Sequence, residues 1–313
     1  MSDTNVSSHH EHSHAAFDAA DEKMSGKFLL SIAITSLTLV AELVGGILTH
    51  SLALLSDAAH VFLDIFALAL SYGAIRIAAK KATGKHTYGF HRMKVLAALI
   101  NGTTLIVVAV EIFRQAILRF SRPEAVIAGP MLIVAIVGLA ANLLVALVLG
   151  GHDHDDLNAR AAFFHVLGDA ISSVGVIAAG IVILFTGWSW VDPLVSILIG
   201  CIIAAGAFRI LKETIHILNE GAPSGIEASE VSEAMAGVAG VVEVHDVHVW
   251  VVGPGFKVLS AHVVLSDQAL SQTGVVMNEL KEILEHKYEI EHTTIQFECA
   301  NCGQGPVAYD SRL

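Results

Sequence analysis

Charge is scarce in this chain. Asp, Glu, Lys and Arg make up 15% of its 313 residues, apolar residues make up 54%, and the mean hydropathy is +0.65. Soluble domains carry roughly 25% charge, so the composition excludes an ordinary soluble globule and points to a membrane protein. Basic residues are the scarcer sign: 18 Lys and Arg against 30 Asp and Glu leave a formal net charge of −12. That acidic balance argues against nucleic acid as a partner. Only three cysteines occur, Cys201, Cys299 and Cys302, which excludes an oxidised, disulfide-built secreted scaffold. His-Glu-x-x-His occurs only as His10-Glu11-His12-Ser13-His14, in the polar tail and not in an apolar run, and no Gly-x-Ser-x-Gly is present. No apolar run therefore carries the motif of a membrane zinc protease, and the serine nucleophile elbow is missing. Residues 1–22 contain no apolar core and do not read as a signal peptide.

What the sequence has instead is six apolar runs, at about residues 27–49, 52–79, 95–119, 127–149, 160–186 and 190–212. Each exceeds or approaches the roughly 20 residues a helix needs to cross the hydrocarbon layer. The connections at His50 and at Gly187-Trp188 are very short, so runs one and two, and five and six, read as helical hairpins. Trp188 and Trp190 sit where interfacial aromatics belong. Residues 1–26, with His9, His10, His12 and His14 among small and acidic residues, read as a disordered tail.

Lys23, Lys27, Lys80, Lys81, Lys85, Arg92, Lys94, Arg160, Arg209 and Lys212 all fall on one side of a six-span topology. The positive-inside rule makes that side cytoplasmic, with both termini inside. Arg114, Arg119 and Arg122 fall on the other side as an outnumbered exception.

Inside the second run lies His60-Val61-Phe62-Leu63-Asp64, and inside the fifth His165-Val166-Leu167-Gly168-Asp169. Residues four apart share a helix face, with Cβ atoms roughly 6 Å apart. An ionisable group at mid-bilayer costs on the order of 3 kcal/mol or more, so such a residue is functional by default. Spans two and five run antiparallel, and both pairs lie at similar depth. Two imidazoles and two carboxylates suffice for one tetrahedral metal site. Asp57, three residues before His60, falls near the same stripe but closer to the outer end of its span, where it caps a helix or lines an exit. Glu42, Glu111 and Asn142 are single polar residues in other spans, suited to interhelical hydrogen bonds or a wet cavity.

After Glu220 the periodicity changes. A short helix over 229–236, strands over 242–252 and 257–266, a helix over 275–288 and a strand over 293–299 make a small αββαβ domain. The division is therefore a tail (1–26), a six-helix transmembrane domain (27–217) and an α+β metal-binding domain (218–313). Gly253-Pro254-Gly255 forms the hairpin turn. Counting from it sets His245 opposite His262 to within a residue, so two more imidazoles converge. His248 differs from His245 in parity and is expected on the other face.

These features together resemble the cation diffusion facilitators, and most of all their zinc-transporting branch of bacterial zinc, cadmium and cobalt efflux proteins and mammalian zinc transporters. The resemblance rests on the His/Asp pairs, Ser51-Leu52-Ala53-Leu54-Leu55-Ser56-Asp57-Ala58-Ala59-His60, Thr87-Tyr88-Gly89-Phe90-His91-Arg92, Val244-His245-Asp246-Val247-His248-Val249-Trp250 and Thr294-Ile295-Gln296-Phe297-Glu298, and spans about 27–302. It implies a homodimer in a bacterial plasma membrane that exchanges cytosolic Zn²⁺ for H⁺. It implies that His60, Asp64, His165 and Asp169 form the transport site. It also implies a metallochaperone-like cytoplasmic domain with a zinc site at His245, His262 and an acidic position falling at Glu298. The helix over 275–288 has no His or Asp before His286 to supply the further ligand some bacterial members carry, and residues 151–156 replace a long His-rich loop.

Three elements keep two readings each. Cys299-x-x-Cys302 has zinc-knuckle spacing but is half a site, and reads equally as a reduced, solvated pair. His86 and His91, in a basic loop, suit a metal or a lipid headgroup. The histidines of the tail and of residues 152–154 read as weak metal collectors or as plain polar segments. For the chain as a whole, a membrane-bound metal sensor without transport is the alternative to an antiporter.

Overall fold

In the computed structural model the backbone is described for residues 30–149 and 157–300, and the side chains for 30–147 and 168–300. The tail histidines, His152, His154 and Cys302 lie outside the described residues. Six helices are long and apolar enough to cross a membrane. They are α1 (Leu30–Thr49), α2 (Leu52–Ala78), α3 (Arg92–Ser121), α4 (Ala128–Leu149), α5 (Leu157–Thr186) and α6 (Val191–Leu218). The sixth runs six residues beyond the expected end, because the apolar periodicity passes straight through Lys212 and Glu213. The chain divides into two compact units, residues 1–68 with 104–207, and residues 69–103 with 208–313.

In the first unit Ala53, Leu54, Ile112, Met131, Val176 and Ile199, drawn from five helices, pack into one apolar core. Large apolar side chains such as Leu147 and Phe185 point outward, as expected of helices solvated by lipid. One end of this unit is tied by Asp192, the first acidic residue of α6. Its carboxylate accepts hydrogen bonds from Ser51 Oγ (2.6 Å), Leu52 N (2.7 Å) and Ala53 N (3.2 Å), and so caps the start of α2. Arg119 from the end of α3 completes the arrangement at 3.3 Å and also donates to the carbonyl of His50. Arg119 further pairs with Glu124 (3.4 Å) and Arg114 with Glu111 (2.6 Å). Two of the three basic residues that defy the positive-inside pattern are thus paired with carboxylates. Trp188 and Trp190 stack at 5.8 Å in the turn between α5 and α6.

The second unit contains the αββαβ domain: α7 (Ala228–Ala236), β1 (Val241–Gly253), β2 (Phe256–Leu265), a 3₁₀ turn (Leu270–Gln272), α8 (Thr273–Tyr288) and β3 (His292–Glu298). The sheet order is β1-β2-β3, with β1 antiparallel and β3 parallel to β2. One sheet face, carrying Val249, Leu259, Ala261 and Val263, packs on Val231 and Met235 of α7 and Leu280 and Leu284 of α8. The opposite face carries the polar residues discussed below. The hairpin end of the sheet meets the loop between α2 and α3. A Cβ on Gly253 would lie 2.8 Å from the carbonyl oxygen of His91, so only glycine permits this approach.

Candidate metal centres

The first candidate is assembled in the first unit by α2 and α5. His60 Nε2 faces Asp169 Oδ1 at 3.4 Å and Asp64 Oδ2 at 3.9 Å. One ligand atom from each of His60, Asp64 and Asp169 falls within 4.8 Å of the others. Helical spacing sets Asp64 one turn below His60, and the antiparallel approach of α5 brings Asp169 alongside. His165 lies one turn before Asp169 in α5, and its side chain is outside the described residues. All three residues are at least half-buried, within apolar runs of sequence. Three convergent donors, with a fourth position on the same helix as Asp169, fit a small divalent cation.

Asp57 is not part of this triad. Its carboxylate is buried, and it accepts hydrogen bonds from Ser172 Oγ at Oδ1 (2.8 Å) and from Ser173 Oγ at Oδ2 (3.3 Å). Ser173 in turn accepts from Asn142 Nδ2 at 3.3 Å, so α2, α4 and α5 share one polar group. The helix-cap reading of Asp57 fails, because Asp192 and Ser51 cap α2. Asn142 does bond between helices. Glu42 is buried against α4, where a Cβ on Gly138 would lie 2.5 Å from its Oε1. Glu111 bonds Arg114 and Gln115 on its own helix and helps line a cavity of about 360 Å³.

The second candidate lies on the polar face of the sheet in the second unit. His245 and His262 are direct partners in the β1–β2 register, and their rings lie 5.3 Å apart. Glu298, at the end of β3, faces both: Oε1 lies 2.9 Å from His262 Nδ1 and Oε2 lies 3.5 Å from His245 Nε2. These three residues also offer ligand atoms within 4.8 Å of one another. The donor set, two imidazoles and a carboxylate with a position left over, fits Zn²⁺.

Two carboxylates back this cluster. Glu243 Oε1 lies 3.8 Å from His245 Nδ1, and Asp246 Oδ2 lies 3.9 Å from His262 Nε2. Each imidazole therefore turns one nitrogen to Glu298 and the other toward a carboxylate at ion-pair rather than hydrogen-bond distance. Strand alternation puts Glu243 on the face of His245, two residues away, whereas spacing does not signal Asp246, which owes its place to a β-bulge. The register steps three residues along β1 from His245 to His248 while β2 steps two, and Asp246 has φ 51°. Asp tolerates that left-handed conformation better than most residues. The bulge also reverses the parity expected for His248. It pairs with Ser260, on the same face as His262, and its Nε2 lies 2.9 Å from Asp246 Oδ1.

The remaining candidates do not converge. His86 bonds Thr83 (3.3 Å) and packs on Phe90, whereas His91 packs on Phe256. His91 lines a cavity of about 470 Å³ with Lys80, Lys81, Tyr88 and His292. Cys299 is exposed and lies 3.8 Å from Asp267. Among the described residues none of these enters a three-ligand cluster.

Comparison with known proteins agrees with this architecture. The cation efflux transmembrane domain profile matches residues 28–219, and the cation efflux protein cytoplasmic domain profile matches 223–300. The chain is 40% identical over 273 residues to the cadmium, cobalt and zinc/H(+)-K(+) antiporter of Bacillus subtilis, covering 86% of this chain and 88% of the relative. It is 39% identical to the metal cation efflux system protein CzcD of Cupriavidus metallidurans (89% and 88% covered), and 40% identical to the zinc transporter ZitB of Pectobacterium atrosepticum (94% and 90%). A solved metal-bound C-terminal domain of the C. metallidurans CzcD transporter is 36% identical, covers 23% of this chain and 99% of its own, and has a TM-score of 0.22. With a family profile over six apolar spans and relatives matched along nearly their whole length, the chain belongs to the cation efflux family of metal-transporting membrane proteins.

Proposed function

We propose that this protein exports Zn²⁺ from the cytosol in exchange for protons, with Cd²⁺ and Co²⁺ as further substrates. The metal is held at His60, Asp64, His165 and Asp169. The observation that carries this is the convergence of His60, Asp64 and Asp169 from two antiparallel apolar helices. With neutral imidazoles the empty site has a formal charge of −2, which Zn²⁺ cancels. When the metal leaves, protons take over part of that compensation, because uncompensated buried charge is costly. Metal and protons thus compete for the same lone pairs, and alternating access converts the competition into antiport. The B. subtilis relative is a cadmium, cobalt and zinc/H(+)-K(+) antiporter, which supports a monovalent counter-ion.

In this reading residues 27–217 form the transport domain, and both termini face the cytoplasm across a bacterial plasma membrane. Residues 218–313 form a dimerising cytoplasmic domain that binds Zn²⁺ at His245, His262 and Glu298, with Cys299 and Cys302 as further candidate donors. The second cluster also supports another reading, a membrane-bound sensor that binds metal without moving it. Purified protein in vesicles separates the two. Zinc uptake driven by an imposed pH gradient, and abolished by Asp64→Ala or Asp169→Ala, is the expected result. Zinc binding without flux would leave only the sensor.

A further inference from the structure

We infer that Asp57, Ser172 and Ser173 form a second cation position on the transport path, an exit-side subsite one helical turn outward of the His/Asp cluster. The inference rests on the transport reading above. Its first support is positional. Asp57 precedes His60 by three residues on α2, and Ser172 and Ser173 follow Asp169 by three and four on α5. The two helices are antiparallel, so both steps run the same way by about 4.5–6 Å. The hydrogen bonds at 2.8 and 3.3 Å show that these residues meet across the two helices.

The second support is charge. The same unit holds another fully buried aspartate, Asp192, which is satisfied by a hydroxyl, two backbone amides and the Arg119 guanidinium. That set explains Asp192 as structure. Asp57 is bonded by hydroxyls alone, and among the described residues no Lys or Arg is paired with it. A buried carboxylate in a membrane span without a fixed cation is a position made for a cation that passes.

The third support is the donor chemistry. A carboxylate and two hydroxyls offer oxygen only, where the inner cluster adds imidazole. Oxygen donors hold Zn²⁺ or Cd²⁺ less firmly than imidazole does. A weaker site beside a tighter one lets an ion move on rather than stay. Asn142, bonded to Ser173 from α4, fixes the hydroxyl that would turn a lone pair toward the ion.

The test uses the full chain. Asp57→Asn should leave equilibrium Zn²⁺ binding at the inner cluster nearly unchanged, while Zn²⁺ flux in vesicles falls by about tenfold or more. Asp57→Cys should give a thiolate-to-cadmium absorption band with Cd²⁺, over the wild-type background of three cysteines. That band should vanish in Asp57→Cys/Asp169→Ala, which cannot load the inner site. Unchanged flux in Asp57→Asn, or flux and binding lost in equal measure, would overturn the subsite and leave the transport reading intact. So would loss of pH-gradient dependence with downhill Zn²⁺ flux preserved, since Asp57 would then carry the proton. Wild-type vesicles without flux would overturn both.

Discussion

Asp246 lies 3.9 Å from Nε2 of His262, the nitrogen that faces away from Glu298. Its other oxygen is 2.9 Å from His248 Nε2, so the carboxylate is held between two imidazoles. Asp246→Asn should weaken zinc at the cytoplasmic cluster by about 10–100-fold. Titrating the variant in an Asp64→Ala/Asp169→Ala background isolates that cluster. An affinity within twofold of the parent would remove Asp246 from any role there.

His60 contributes an imidazole to a cluster otherwise lined, among the described residues, by carboxylates. His60→Asp makes the site richer in oxygen, and oxygen-rich sites suit Mn²⁺ better than imidazole-containing ones. The ratio of Zn²⁺ to Mn²⁺ uptake should fall. Competition assays in vesicles would measure it, and an unchanged ratio would contradict the assignment.

Zinc affinity at both clusters should drop as pH falls. Binding requires deprotonated imidazoles, so protons and metal exclude one another and acid favours the proton-loaded form. Calorimetric titrations in two buffers of different ionisation enthalpy would count the protons released. Zero release would be incompatible with proton-coupled exchange at these residues.

Arg119→Ala leaves Asp192 buried with its hydroxyl and amide donors but without its guanidinium. Removing one partner of a buried pair costs about 3–5 kcal/mol. The detergent-solubilised variant should melt well below wild type, and Arg119→Ala/Asp192→Asn should recover part of the loss. A Tm equal to wild type for the single variant would show the pair to be energetically idle.

At the hairpin tip, Gly253→Ala forces a methyl group to 2.8 Å from the His91 carbonyl. Overpacking of this kind costs about 1–3 kcal/mol. Reduced protection of β1 and of residues 80–91 in hydrogen exchange would register it.

Much of this architecture could be read from residue pattern. Apolar runs bounded by Lys, Arg and Trp marked the six helices, because lipid imposes length and polarity on each span separately. Counting from the Gly253-Pro254-Gly255 turn brought His245 to within a residue of His262, and the bulge between His245 and His248 makes them direct partners. The place of Asp246, and the face that His248 shares with His245, escaped that count, because a single inserted residue reverses side-chain parity and leaves no mark in the local pattern. Asp192 escaped for another reason: an acidic residue at the first turn of a helix looks like an ordinary complement to its own helix dipole. Its actual partners are some 140 positions away.

That separation bears on how the protein is made. In the first turn of α2 Ser51 Oγ accepts from Leu54 N, whereas the amides of Leu52 and Ala53 find their side-chain acceptor on α6. During synthesis the leading end of α2 enters the membrane long before residue 192 exists. Its amide groups must be satisfied by water or headgroups until the last span arrives. Closure of that end of the bundle therefore waits for α6, and a nascent chain arrested before α6 should leave α2 able to slide in depth.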